Sequence, residues 1–504
     1  MKFSKTTQWA FALSGFCSSD FASGITTAHT IRKSASNTLE VFEIPGNVAR
    51  STTFQIKIRP TTDVTWHQVE LFDTPIYEIN ATTGRAQVHH TSVGLFDFNE
   101  IVTLSIFPNS NIFSSIDTVK IRPLSYGINA KIRGRRIDLT LFEPKDIVVE
   151  VNGDVFNALH LFLGAMDGIK LPTSNHEHIH RYEAGYHELN ETVRVLSGET
   201  VYLAPGAVVK GDFLFQNSSD AAILGRGVIY QSGSITVESS KNIRIEGLTI
   251  LNPKHYSLTL GMADNVIVSK FRSISGVQWG DGIDVFCSTN IVLEKLFMRN
   301  SDDCIALYQH RWGYIGDSKN ITVRDSTLWA DVAHPIHIGI HGNSVDPETM
   351  EGVTISNIDI LDHREPQVDY MGCIAINCGD ENLIKDITID NVRIEDFRIG
   401  MLFNFKVFFN PKYNTAPGRG IQNVKIKDVS YNGKGEVMSI ITGYSETRSV
   451  DYVDFQGLIF NGREIWDGMA KPTWYQTADT LPMFVGGHVN NLTWSRGDLP
   501  GPSF

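Results

Sequence analysis

Asn290-Ile-Val-Leu-Glu-Lys-Leu-Phe-Met298 is one copy of a pattern that recurs along this chain. A polar residue or Gly is followed by apolar, x, apolar, x, a Gly, Asp or Asn, and then apolar, x, apolar. The same order appears in Asn242-Ile-Arg-Ile-Glu-Gly-Leu-Thr-Ile250, Asn265-Val-Ile-Val268, Asn320-Ile-Thr-Val-Arg-Asp-Ser-Thr-Leu328 and Gly352-Val-Thr-Ile-Ser-Asn-Ile-Asp-Ile360. It continues through Asn382-Leu-Ile-Lys-Asp-Ile-Thr-Ile389, Asn423-Val-Lys-Ile-Lys-Asp-Val429 and Tyr452-Val-Asp-Phe-Gln-Gly-Leu-Ile459. Successive copies start about 22 to 32 residues apart, with one longer step between Asn382 and Asn423. Alternation with a period of two marks short strands, and self-similarity at this spacing with no helical stretch between marks a solenoid. Leucine-rich repeats share the period but need a Leu-x-x-Leu-x-Leu lattice, which is missing. The expected fold class is all-β, with a right-handed parallel β-helix over residues 196–462.

Upstream, residues 25–165 alternate in shorter runs, such as Thr53-Phe-Gln-Ile-Lys-Ile-Arg59 and Ile137-Asp-Leu-Thr-Leu-Phe142, separated by Gly, Pro, Asn and Asp. That reads as an N-terminal antiparallel β-sandwich. Residues 166–195, with Pro172 and the group His176, His178 and His180, read as a linker, because no acidic or cysteine partner has metal-ligand spacing with those histidines. The Trp- and Pro-containing tail 463–504 is expected to cover the open end of the solenoid, where unpaired strand edges would otherwise be exposed. Residues 1–24 have the basic, apolar, small order of a secretory signal, which predicts a secreted protein.

Composition narrows the partners. The 44 basic and 56 acidic residues leave a formal charge of -12, which argues against nucleic acid and for an uncharged partner. No later stretch approaches the roughly 18 apolar residues of a membrane span. Five Asn-x-Ser/Thr triplets, at Asn80, Asn190, Asn217, Asn320 and Asn491, are compatible with a secreted glycoprotein. Beyond the signal, Cys287, Cys304, Cys373 and Cys378 form no zinc pattern; Cys287 with Cys304, or Cys373 with Cys378, would bridge, and buried free thiols fit equally well. No metal or cofactor is expected, and a monomer is.

Stacking the coils brings out the chemistry. Aligning the inward pairs Ile283/Val285, Ile305/Leu307, Ile336/Ile338 and Ile374/Ile376 leaves Asp281, Asp303, His334 and Gly372 in one column. Coils stack at about 4.8 Å, so these side chains are neighbours. A second column reads Asp284, Ala306, His337, Ala375. Asp302 precedes Asp303 and points elsewhere, since side chains alternate along a strand. Crowded carboxylates repel, so at least one must hold its proton. A bound cation or a solvated turn is the structural alternative. Glycoside hydrolysis is the reaction such a cleft suits, with Asp281 and Asp303 around one water and Asp302 as the acid.

The order Asp281-Gly-Ile-Asp284, about twenty residues, Asp302-Asp303-Cys304-Ile-Ala306, then a His on the next coil, resembles the polygalacturonase family, glycoside hydrolase family 28. The resemblance runs over about residues 195–460 and implies a β-helix and an inverting three-aspartate mechanism. By that likeness the general acid falls on Asp302, the water-binding pair on Asp281 and Asp303, and the site histidine on His334, within Ala333-His334-Pro335 instead of Gly-His-Gly. The Arg-Ile-Lys that grips a galacturonate carboxylate in that family falls here on Ala375-Ile376-Asn377, and its Asn-Thr-Asp on Trp279-Gly280-Asp281. A uronate would lose its charge-assisted partners. The N-terminal sandwich and the segment Val201 to Gly211 also resemble the dextranase and isopullulanase family, family 49, which acts on neutral α-glucans.

The expectation is therefore an inverting hydrolase of a polysaccharide, a neutral α-glucan ahead of a pectin. Trp279, Asp284, His310, Arg311, Trp312, His337 and Asn377 are the candidate substrate contacts. His341 replaces His334 if the register slips. A lyase would need a basic Arg or Lys that the columns lack, and a non-catalytic carbohydrate-binding solenoid is the remaining class.

Overall fold

Asparagine at the coil corners explains why the repeat is visible in the sequence. A computed structural model describes residues 38–80, 82–166, 168–169 and 178–498, which lie in one compact unit beginning at Ile31. The expected signal segment, 1–24, and His176 fall outside them. Asn242, Asn265, Asn290 and Asn320 all have φ between +54° and +56°, a left-handed conformation that Asn tolerates better than other side chains with a Cβ. Their amides form a ladder: Asn265 donates to Asn242 at 2.8 Å and Asn320 to Asn290 at 2.7 Å. Each corner is thus both a turn and a rung.

Between corners, parallel strands build one 20-stranded and one 11-stranded sheet that enclose the core. The smaller sheet has the expected register. Ile283, Ile305, Ile336 and Ile374 are paired in sequence, as are Asp284, Ala306, His337 and Ala375. Alternate residues face inward, where Ile, Val and Leu fill one continuous core, and the others face outward on this sheet.

The solenoid is longer than expected at both ends. Ile179–Tyr182, Gly185–Glu188 and Val193–Arg194, taken as linker, pair in parallel with Thr200–Leu203, Ala207–Lys210 and Phe213–Gln216, and so form a first coil. In the tail, Met483–Val485 and Val489–Ser495 continue the two sheets, and Trp494 stacks on Phe455 at 4.1 Å. The intervening insertion breaks the spacing there.

The N-terminal domain is a six-stranded sheet facing a five-stranded one. Its strand pairs are antiparallel except Ala86–Phe98 with Leu159–Gly164, which run parallel. Its outer surface docks on the β-helix through shared apolar residues, including Phe72, Phe162, Phe297 and Trp329. Buried ion pairs join the two parts: Arg226 with Asp97 and Arg272 with Asp146. Pro75 and Ile76 lie so close to Gly276 that a Cβ there would meet the Pro75 carbonyl carbon at 2.4 Å. The sandwich therefore abuts the loop that leads to Asp281. Cys287, Cys304, Cys373 and Cys378, the cysteines among the described residues, are buried free thiols, so neither bridge forms. No helix among the described residues is long and apolar enough to cross a membrane.

Candidate active site

Loops between the two sheets, at residues 275–282, 301–304 and 331–335, end on Asp281, Asp303 and His334. Backbone hydrogen bonds from Gly282 to Asp303 (2.8 Å) and from Cys304 to His334 (2.8 Å) carry the sheet register into the loops. One carboxylate oxygen from each of Asp281, Asp302 and Asp303 lies within 4.8 Å of the others. Asp281 and Asp303 are buried, and Asp302 is half-buried.

Asp303 is the most heavily bonded of the three. Its Oδ1 accepts the His334 backbone N–H at 3.0 Å and His334 Nδ1–H at 2.6 Å. Its Oδ2 accepts His337 Nδ1–H at 2.9 Å and the Tyr308 hydroxyl. Nε2 of His334 faces the Tyr370 carbonyl at 2.5 Å. Both ring nitrogens of His334 thus face oxygen atoms, one of Asp303 and one of the Tyr370 backbone. Burial alone would raise the Asp303 carboxyl, but His334 and His337 outweigh it and hold it well below the usual carboxylate range.

The neighbouring acids go the other way. Burial, then the charges of Asp284, Asp302 and Asp303, pushes Asp281 well up. Burial, then Asp303 and Glu365, does the same for Asp302. Asp302 Oδ1 accepts the Asp303 N–H at 3.1 Å. Asp284, fully buried in the second column, also has a strongly raised carboxyl, and neither of its oxygens has a hydrogen-bond partner. His337 is pushed down to about 4 by burial and the His334 charge, so it is neutral. One acid holding its proton beside another that has lost it is what acid–base chemistry at a single centre requires.

The clustered donors could in principle hold a metal ion, but the group Asp303, His334 and His337 does not fit one. The carboxylate oxygens are occupied by donors, and both ring nitrogens of His334 are already engaged with oxygen atoms.

Aromatic residues wall one side of the aspartates. Trp312 is 59% exposed, lies 6.0 Å from Tyr256 in a stacked arrangement and packs on Phe286. Trp279, 58% exposed, approaches His255. Arg311 lies over the Trp312 ring and donates to His341 Nε2 at 2.9 Å. His341 is thus the partner of Arg311, and His334 is the histidine that shares a column with Asp281 and Asp303.

Two expected contacts fall elsewhere. His310 sits at the base of the loop, where its backbone N–H donates to Glu348 at 2.8 Å. Asn377 is buried between the paired residues Gly339 and Lys406 of the neighbouring coils and donates to the Asn404 carbonyl at 3.1 Å. Three functional candidates escaped the sequence reading. Tyr308 was visible only as part of a loop, and neither Tyr370 nor the fully buried Glu365 belongs to a repeat position.

A parallel β-helix with a cluster of aspartates on the loops that enter its smaller sheet defines a recognisable class of protein. Over residues 225–455 the chain matches Glycosyl hydrolases family 28. A probable endopolygalacturonase D of Neosartorya fischeri is 26% identical over 198 residues, 39% of this chain and 35% of that protein. A polygalacturonase of Chamaecyparis obtusa is 28% identical over 175 residues, 34% of this chain and 31% of that one. These matches span about a third of the relatives' own lengths. Dex49A from Penicillium minioluteum shares the fold, with a TM-score of 0.65 and 15% identity, over 92% of this chain and 100% of that one.

Proposed function

We propose that this protein is a secreted glycoside hydrolase that cleaves a polysaccharide with inversion at the anomeric carbon. The observation that carries the reading is the division of protons among the aspartates. Asp302 keeps its proton and Asp303 does not. Asp302 donates its proton to the leaving oxygen while a water lodged between Asp281 and Asp303 attacks the opposite face of the sugar. One oxygen of each of the three carboxyl groups lies within 4.8 Å of the others, so all three can act on one glycosidic bond.

A neutral glucan is the preferred substrate class. Five carboxyl groups converge on the centre (Asp281, Asp284, Asp302, Asp303 and Glu365); four of them are raised, and the fifth, the ionised Asp303, would repel a uronate. Ala375 and the buried Asn377 offer no cation. Exposed Trp279 and Trp312 suit the apolar face of a sugar ring. The polygalacturonase relatives favour pectin as the other substrate, and so does Arg311, which makes no ion pair among the described residues and has a buried Nε without a partner. Reducing-sugar release from dextran, pullulan, polygalacturonate and rhamnogalacturonan separates the two. Turnover of dextran or pullulan supports the neutral reading, and turnover of polygalacturonate alone refutes it.

A further inference from the structure

The outward row of Asp284, Ala306, His337 and Ala375 runs on to Thr259 at one end and to Asn404 at the other. Its two ends differ. Thr259 is half-exposed, and Trp279 and Trp312 present exposed rings against His255 and Tyr256, which lead into its strand. Ala375 and Asn404 face outward yet are fully buried. Two loops meet over them from opposite sides of the sheet, residues 365–372 ahead of Ala375 and residues 408–415 beyond Asn404. Tyr370 stacks on Tyr413 at 5.2 Å, Lys412 Nζ donates to Gln367 Oε1 at 2.7 Å, and Asn410 Nδ2 donates to Asp369 Oδ2 at 3.3 Å. From below, Asn404 donates to the Met371 carbonyl and Lys406 to that of Asp369. Exposed polar contacts alone would hold such a bridge weakly. The buried Asn404 and Lys406 anchor it to the sheet.

A polysaccharide cut in its middle must leave the centre in both directions, so its cleft has to be open at both ends. Here the bridge begins over Ala375, one coil or ~4.8 Å past His337. The Tyr370 ring lies 4.5 Å from that of His334. Between the aspartates and this wall there is room for about one or two sugar residues at the ~4.8 Å spacing of the coils. We infer that the enzyme acts from a chain end. The body of the polysaccharide lies over Trp279 and Trp312, whose exposed rings suit the apolar faces of sugars. Its terminal unit or pair stops against Tyr370 and Tyr413, and each cut releases a mono- or disaccharide. The inference rests on the hydrolase reading above and adds to it where along the chain the enzyme cuts.

Product analysis tests this. The wild-type protein is incubated with a linear polysaccharide that it hydrolyses, and early samples are separated by anion-exchange chromatography while viscosity is followed in parallel. A mono- or disaccharide is expected as the sole small product from the first sample, with viscosity falling slowly as reducing ends accumulate. A ladder of longer oligosaccharides at early times, or a steep loss of viscosity while few bonds are cut, overturns the inference. The double variant Lys412→Ala with Tyr413→Ala removes one side of the bridge and should raise the share of longer products several-fold. If it hydrolyses the polymer and still releases the wild-type product alone, the bridge is not the stop and the inference falls. The wild-type product pattern decides the matter even if the double variant does not fold. Failure of the hydrolase reading looks different, as an absence of wild-type turnover on every polysaccharide.

Discussion

Replacing Asp302 by Asn tests the acid with little disturbance to the fold. Among the described residues its one hydrogen bond is from the Asp303 N–H to Oδ1 at 3.1 Å, and an Asn carbonyl oxygen accepts the same bond. The side chain is only half-buried, so no cavity opens and the melting temperature should stay within about 2 °C of wild type. What disappears is the transferable proton. General acid catalysis contributes about 10²–10⁴-fold, equivalent to ~2.7–5.4 kcal/mol of barrier. Asp302→Asn should lower kcat on polysaccharide by that range while KM changes only a few-fold. With an aryl glycoside whose leaving group needs no protonation the loss should shrink. The alkaline limb of the pH profile, where Asp302 gives up its raised proton, should flatten. Steady-state reducing-end assays and the aryl comparison supply all three readings. A variant keeping more than about a tenth of wild-type kcat, or equally impaired on both substrates, refutes the assignment.

Truncating Trp312→Ala removes an exposed stacking face and should raise KM about 3–10-fold with little change in kcat, the effect of losing roughly 0.5–1.5 kcal/mol of aromatic contact. Asp331→Leu leaves fully buried Arg299, otherwise held at 2.8 Å, without its counter-charge; urea unfolding should show a loss of about 3–5 kcal/mol. Glu395 is raised to about 7 by burial, despite Arg122 and the Leu124 N–H beside it. A carboxyl with a raised folded-state value adds stability that is complete below its unfolded value, near 4.5, and is lost as pH rises through about 7. Glu395→Gln should therefore flatten the fall in stability between pH 5 and pH 8 seen by thermal melts. Chelation should leave activity unchanged, because the lone pairs of Asp303 and the nitrogens of His334 are already committed.

The parts of this molecule that repeat could be read from its sequence. Inward pairs such as Ile283/Val285 and Ile305/Leu307 recur because each coil must present an apolar face to the same core, and that recurrence set the register of Asp281, Asp303 and His334. Asparagine marked the corners for the backbone reason given by its positive φ. The first coil escaped notice because its strands are short, two to four residues, and none of their residues is fully buried. Tyr370 reaches His334 from a loop whose direction no period encodes, whereas Tyr308 ends a strand in register with Phe286 and was passed over as a site residue. The burial of Asn377 was not legible in the strand pattern.

The account claims above all that a water held between Asp281 and Asp303 attacks the sugar from the face opposite Asp302. Proton NMR of the first product formed from an α-linked glucan tests this directly, before mutarotation mixes the anomers. The account predicts that the β-anomer appears first. Initial appearance of the α-anomer would contradict it and favour a covalent intermediate, and an unsaturated product would contradict hydrolysis itself.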